Sequence, residues 1–243
     1  MSYGLHLSGG EALAEVGVYT ELTGHPIDDD RLMTLAYIVA RGVVNRHANG
    51  DPDAQDVPIG AVAYDPTTGC AYTAYPRDRE LGERGAHAEP LALRMAVQGG
   101  ARPENLQVAT TFEPCPGCLE HMADRGVSTI VFGIGRTPLE QRGLVKRHTQ
   151  SALDIAASGR EGLPYPELRQ IGNVALRVAC LAVFDPFRRD PISERVTFRG
   201  GHDHLPDFTA DILSANGNLG VVLTEAQLSL VRCFGGTSTA YKS

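Results

Sequence analysis

Residues 84–95 read RGAHAEPLALRM and place a histidine and a glutamate immediately before an apolar helix. His87 and Glu89 precede Pro90, and mostly apolar side chains follow from Leu91 onward. Proline is tolerated only in the first turn of a helix, where no backbone hydrogen bond is lost. The predicted helix therefore begins no earlier than about His87, so His87 and Glu89 lie at its mouth rather than in its buried interior.

A second stretch, FEPCPGCLEHM at residues 112–122, supplies two cysteines separated by two residues. Pro116 suits the first turn of a helix, which places Cys115 near the N-cap and Cys118 one turn further on, on roughly the same side. The positive end of the helix dipole favours the thiolate form of both sulfurs. Two thiolates at this spacing make half of a zinc site, although CPGC alone also suits a redox dithiol.

The two predicted helix mouths together offer a complete set of protein ligands. If they meet at one edge of a sheet, they bring His87, Cys115 and Cys118 together. Three protein ligands leave a fourth position open, which is typical of a catalytic rather than a structural zinc site. A carboxylate such as that of Glu89, placed beside an activated water molecule, can take its proton and pass it to a leaving nitrogen.

Helix and strand signals alternate around these stretches, which predicts an α/β fold. The predicted elements are a helix at 28–50, a hairpin at 57–75, the helix after His87, a strand at 105–112, a helix at 115–125 and a strand at 127–135. Further on, residues 158–166 are interpreted as a linker and residues 167–184 as a buried helix, although the end of that stretch also suits a strand. A capping box at Thr224 and Gln227 predicts a last helix, ended by Gly235.

Composition excludes several classes of protein. The chain has 243 residues, of which 42% are hydrophobic and 21% charged, enough for one globular domain and an extension. A net charge of −7 disfavours a nucleic-acid partner, which usually selects a basic surface. The sequence has no apolar stretch long enough to cross a membrane, so no membrane span is expected. The odd count of five cysteines and the absence of a signal-like start predict a cytoplasmic protein.

The motifs HAEPLAL and EPCPGC resemble those of the cytidine and deoxycytidylate deaminase superfamily, whose zinc enzymes carry His-x-Glu followed by Pro-Cys-x₂-Cys. The flanking sequence is similar to the branch that holds tRNA adenosine deaminases, guanine deaminases and the deaminase domain of riboflavin biosynthesis. The resemblance covers roughly residues 28–150. It implies a three-layer α/β/α sandwich around a mixed five-stranded sheet, and a homodimer or higher homo-oligomer.

Carried over residue by residue, the resemblance implies that His87, Cys115 and Cys118 bind Zn²⁺. It also implies that Glu89 is the proton shuttle and that the backbone amide near Ala88 lies beside the metal.

The part of the pattern that contacts substrate departs from the family. Purine and tRNA members usually have an asparagine about eleven residues before the histidine, where this chain has Pro76. Their Asp-Pro-Thr lead-in is replaced by residues 83–85, Glu-Arg-Gly. We therefore expect Tyr75, Arg77, Asp78 or a residue of the C-terminal extension to replace the missing contact.

These observations predict an N-terminal segment at 1–27 and a deaminase-like catalytic domain at 28–157. They also predict a C-terminal extension at 158–243, packed on the core or at an oligomer interface. The predicted activity is zinc-dependent hydrolytic deamination of a small cyclic amidine, such as a nucleobase, nucleoside or related metabolite. Three alternatives remain open: a nucleic-acid deaminase of the tRNA type, a non-catalytic interaction protein stabilised by zinc, and a redox dithiol protein.

Overall fold

The computed structural model describes residues 20–21, 27–51, 56–83, 85–145, 148–159, 165–189 and 196–199. Its helices are α1 (Asp29–Ala48), α2 (Asp78–Leu81), α3 (Ala88–Gln98), α4 (Pro116–Asp124), α5 (Thr137–Gln141), α6 (Ala152–Ser158) and α7 (Val174–Ala182). Its strands are β1 (Thr20–Glu21), β2 (Ala61–Asp65), β3 (Cys70–Ala74), β4 (Gln107–Phe112), β5 (Thr129–Ile134), β6 (Glu167–Gln170), β7 (Phe187–Arg189) and β8 (Val196–Phe198).

The main sheet is mixed and has the strand order β1-β3-β2-β4-β5-β6. Strand β2 pairs antiparallel with both β3 and β4, whereas β4, β5 and β6 run parallel. Five strands form the body of this sheet, and the two-residue strand β1 adds to the edge of β3. The predicted mixed five-stranded sheet is therefore confirmed, and β7 and β8 form a separate antiparallel pair.

Helices cover both faces of the sheet and make the predicted three layers. Alternation along β2 shows the two faces: Val62 and Tyr64 pack in the core beneath α1 and α7, while Ala61 and Ala63 pack in the core beneath α3 and α4. Helix α6 packs against β6 and α4 on the second face. Because α3 and α4 contact each other on the same face, their N-termini can build one site.

The prediction of a single buried helix over residues 167–184 is wrong. Residues Glu167–Gln170 form β6, which pairs in parallel register with Thr129–Phe132, and α7 begins only after its N-cap Asn173. A short apolar run does not distinguish a strand from a helix by periodicity alone. The unpaired edge of β5, which lies far away in sequence, decides the outcome because it supplies backbone partners for these four residues.

The predicted elements between residues 28 and 135 are confirmed. Helix α1 has Asp28 as its N-cap, whose carboxylate accepts a hydrogen bond from the Arg31 backbone N–H at 2.9 Å. The predicted helix at 223–235 and most of the predicted linker at 158–166 lie outside the described residues. In the part of the chain that the structure describes, no helix is both long and apolar enough to cross a membrane.

Candidate metal centre

The first ligand position is the residue that precedes α3. His87 is the N-cap of this helix, with extended backbone angles, and its side chain makes no capping hydrogen bond. Pro90 lies in the first turn, as its missing backbone donor requires. The imidazole is therefore not used to cap its own helix and lies against α4.

The other two positions lie at the start of α4. Cys115 is the N-cap, and its sulfur accepts a hydrogen bond from the Cys118 backbone N–H at 3.4 Å. Pro116 occupies the first helical position, so the helix starts where the sequence predicts. Cys115 is half-buried and Cys118 is buried, which keeps both sulfurs close to the protein interior.

The three side chains converge on one point. The Nδ1 atom of His87 lies 3.1 Å from the Cys118 sulfur and 3.5 Å from the Cys115 sulfur, and the two sulfurs are 3.2 Å apart. A tetrahedral zinc ion with ordinary Zn–S and Zn–N bonds holds its ligand atoms about 3.5–3.8 Å apart. The three side chains therefore fit a zinc ion after an opening of only a few tenths of an ångström.

The electrostatics of the cluster favour a cation. Hydrogen bonding between the two sulfurs lowers the pKa of Cys115 to about 4 and raises that of Cys118, because the close pair shares one proton. The hydrogen bond with Cys115 also raises the pKa of His87 to about 9. A thiolate thus forms here near neutral pH, next to positive charge.

Glu89 lies two residues beyond His87, in the first turn of α3, and is only 4% exposed. Burial, together with the nearby charge of Cys115, raises the pKa of its carboxyl group to about 7. A carboxyl group whose pKa is close to neutral can both accept and donate a proton. The site therefore combines candidate metal ligands with a buried carboxyl group that can transfer protons.

The residues expected to contact substrate occupy different surroundings. The hydroxyl of Tyr75 accepts a hydrogen bond from Arg46, whose guanidinium lies 5.3 Å from the centre of the Tyr75 ring. The Arg77 backbone N–H donates to the Ala86 carbonyl at 2.8 Å. Ala88 is buried at the start of α3. The Asp78 side chain approaches a candidate ligand: an oxygen of its carboxylate lies 3.7 Å from Nε2 of His87.

Glu113 is a buried carboxylate near the site that the sequence alone did not single out. Glu113 lies two residues before Cys115 and accepts hydrogen bonds from the Ala152 N–H at 2.7 Å and the Arg136 N–H at 3.1 Å. It therefore ties the strand that leads to Cys115 to the segments that begin α5 and α6. The sequence does show a charged residue between an apolar strand and Pro114, which could have drawn attention to Glu113. Its burial, however, depends on residues distant in sequence.

An open cleft of about 490 Å³ lies beside the first turn of α4. Pro116, which follows a ligand position directly, lines this cleft together with Glu120, His148 and Tyr165. Its volume is within the range of about 300–1,000 Å³ that is usual for pockets that bind small molecules.

Residues 28–134 match the model of the cytidine and deoxycytidylate deaminase zinc-binding region. This stretch, somewhat less than half of the chain, is similar to that zinc-binding region. The deaminase region contains both predicted motifs, so the resemblance stated from the motifs is confirmed, and with it the assignment of a zinc-binding domain. His87, Cys115 and Cys118 are the residues in the described part of the chain that could hold the metal.

The deaminase region is similar to proteins with different substrates. The chain is 34% identical over 83 residues to tRNA(Ile)-lysidine synthase of Deinococcus radiodurans, a match that takes in 33% of this chain and only 14% of that protein. The structure of guanine deaminase from Nitrosomonas europaea is 17% identical, with a TM-score of 0.52 over 75% of this chain and 95% of that one. The structure of a tRNA:A34 deaminase is 22% identical, with a TM-score of 0.48 over 63% and 97%. At 17% identity the likeness to the guanine deaminase shows the fold alone.

Proposed function

We propose that this chain is a zinc-dependent hydrolytic deaminase of a small cyclic amidine, such as a nucleobase, a nucleoside or a related metabolite. The observation that carries the proposal is the convergence of Nδ1 of His87 with the sulfurs of Cys115 and Cys118, directly beside the buried Glu89. Three ligands with an open fourth position and an adjacent carboxyl group are what hydrolysis requires.

His87, Cys115 and Cys118 hold the metal in this mechanism. Zinc bound there supplies a Lewis acid that activates a water molecule at neutral pH. The water oxygen attacks the ring carbon that bears the amino group, and a C–O bond forms. Glu89 accepts a proton from the water and delivers it to the amino nitrogen. The C–N bond breaks and ammonia leaves with that proton, while the second proton of the water ends on the neighbouring ring nitrogen as the ring carbon becomes a carbonyl.

Two observations favour a small substrate over a nucleic acid. The chain carries a net charge of −7, whereas binding several phosphates requires several cationic side chains on one surface. It contains eight tyrosines, seven phenylalanines and no tryptophan, which leaves few side chains on which exposed bases could stack.

A nucleic-acid substrate is the second candidate. The local identity to a tRNA(Ile)-lysidine synthase and the likeness to tRNA:A34 and guanine deaminases make the comparison between polynucleotide and free base the decisive one. We retain the domain limits 28–157 and 158–243, a homo-oligomeric state and a cytoplasmic location as predictions.

The test is a deamination screen on purified protein whose zinc content has been measured by elemental analysis. We expect about one zinc per chain, and ammonia release from at least one free purine, pyrimidine, pterin or corresponding nucleoside or nucleotide. We expect tRNA and single-stranded DNA to remain unchanged at the same enzyme concentration and low salt. Editing of a polynucleotide with no reaction on any small amidine would instead establish the second candidate, and absence of zinc would refute both.

A further inference from the structure

The two ring nitrogens of His87 face different partners. Nδ1 faces the sulfurs of Cys118 and Cys115 at 3.1 and 3.5 Å. Nε2 faces the opposite way, towards a carboxylate oxygen (Oδ2) of Asp78 at 3.7 Å. The histidine therefore lies between the ligand cluster and a carboxylate contributed by a different helix, α2.

This arrangement has a chemical consequence for metal binding. A neutral imidazole that gives the lone pair of Nδ1 to a metal must carry its proton on Nε2. A carboxylate that accepts a hydrogen bond from Nε2–H fixes this tautomer, orients the ring and makes the ligand more basic. We propose that Asp78 is a positioning residue that performs this role for His87. The inference rests on the proposed zinc site and concerns how tightly that site holds its metal.

The carboxylate of Asp78 is held in place by the loop that it faces. Its Oδ1 atom accepts a hydrogen bond from the Gly85 N–H at 2.7 Å, and the neighbouring Arg77 N–H donates to the Ala86 carbonyl at 2.8 Å. Gly85 has a φ of +88°, a conformation that side chains other than glycine rarely adopt. One oxygen of Asp78 is thus occupied by the loop, and the other remains directed at His87.

The remaining separation is small. A charge-assisted N–H···O bond has a length of about 2.7–2.9 Å, so Nε2 and Oδ2 must approach by just under 1 Å. The His87 side chain is 42% exposed and that of Asp78 is 28% exposed, so both can adjust at the surface. Zinc binding at Nδ1 would provide the reason for that adjustment, because it places the proton on Nε2.

Substitution of Asp78 can separate the two roles of its carboxylate. In D78N the amide oxygen still accepts from the Gly85 N–H, but the amide nitrogen faces Nε2–H, donor against donor. In D78A both interactions are lost. E83Q is the matched control. Glu83 lies in the same loop, and its substitution also removes one negative charge. Its ion-pair partner, however, is Arg94 at 3.6 Å and not His87.

The measurement is the zinc affinity of the full-length chain, obtained by competition with a chromogenic chelator. Loss of a carboxylate that orients a metal-binding histidine typically reduces affinity 10–100-fold. We expect a reduction of about this size in both D78N and D78A, with E83Q like the wild type. In the zinc-loaded protein, the Nε2 proton of His87 should also exchange with solvent faster in D78N than in the wild type, as read from long-range ¹H–¹⁵N spectra.

The outcomes distinguish this inference from the proposed function. If D78N binds zinc as the wild type does and only D78A is weakened, Asp78 supports the loop alone and the inference is wrong, while the deaminase proposal stands. If the wild-type chain binds no zinc, both fail. A D78N chain with weakened zinc affinity, and with the same unfolding midpoint as the wild type when both are free of metal, establishes the positioning role.

Discussion

Individual residues at the N-termini of two helices form the candidate metal centre, and simple local rules place them there. Cys115 is the N-cap of α4 and His87 the N-cap of α3, each followed within a few residues by a proline in the first turn. These rules act over three or four residues. For that reason the spacing could predict three side chains that the structure brings within reach of one metal ion.

Glu89 provides the prediction at the scale of one residue. If Glu89 transfers protons and does not bind the metal, E89Q should retain both the fold and the zinc. Glutamine has almost the same shape as glutamate, and because it is neutral its burial does not require a charge to be desolvated. Turnover should fall about 10²–10⁴-fold, the usual contribution of a general acid–base group. Zinc content and ammonia release measured on the same sample test this expectation.

The control for E89Q is E104Q, a substitution at an exposed glutamate in the turn before β4. It should leave both zinc content and rate unchanged. A near wild-type rate in E89Q would remove Glu89 from the mechanism, and loss of zinc in E89Q would show that the residue binds the metal.

The packing of whole elements determines how closely α1 approaches the sheet. A Cβ atom added at Gly60 would lie 2.0 Å from the Ala36 carbonyl oxygen and 2.8 Å from the Ala40 backbone nitrogen. Gly60 cannot easily move away, because its carbonyl accepts from the Thr111 N–H at 2.9 Å and its N–H donates to the Thr111 hydroxyl at 3.1 Å. The backbone of α1 lies on one side of Gly60 and Thr111 of β4 on the other. The space at this position therefore admits the hydrogen atom of glycine but not a Cβ atom.

We therefore expect G60A to destabilise the protein by about 1–3 kcal/mol or more, the range for an overpacked core. Urea unfolding measures the change in free energy. G172A is the matched control, since Gly172 has open space where its Cβ would lie, and it should change stability by less than about 0.5 kcal/mol. Equal stability of the two variants would show that α1 moves freely relative to β2.

Across the whole molecule, the segment beyond the two motifs completes the sheet. Arg169 of β6 forms two hydrogen bonds with Asp29, at 2.9 and 3.0 Å, and Asn173 donates to Asp30 at 2.7 Å. The start of α1 is thus tied to β6 and α7. Leu176 of α7 is buried in the same core as α1, so this part of the proposed C-terminal extension supplies both a strand and a core helix.

Truncation after Gly159 tests this dependence. The fragment 1–159 retains both motifs and Glu89 but lacks β6 and α7, so it exposes the edge of β5 and the apolar surface that α7 covers. We expect an insoluble or molten product, recognised by loss of near-ultraviolet circular dichroism and of a cooperative thermal transition. A fragment 1–199, which retains every described element, separates this effect from the loss of residues 200–243. A soluble, folded and active 1–159 fragment would contradict the expectation.

By itself, the sequence determined the helix starts, the hairpin at its Asp65–Gly69 turn, the candidate ligands and the mixed α/β architecture, because caps, prolines and turns act over a few neighbouring residues. Only the tertiary structure decided that residues 167–170 form a strand, that Glu113 is buried, and that Asp78 faces Nε2 of His87. Each of these outcomes depends on a partner distant in sequence or across a folded loop. No local pattern encodes such a partner, since backbone pairing, burial and ring orientation arise only when the layers come together.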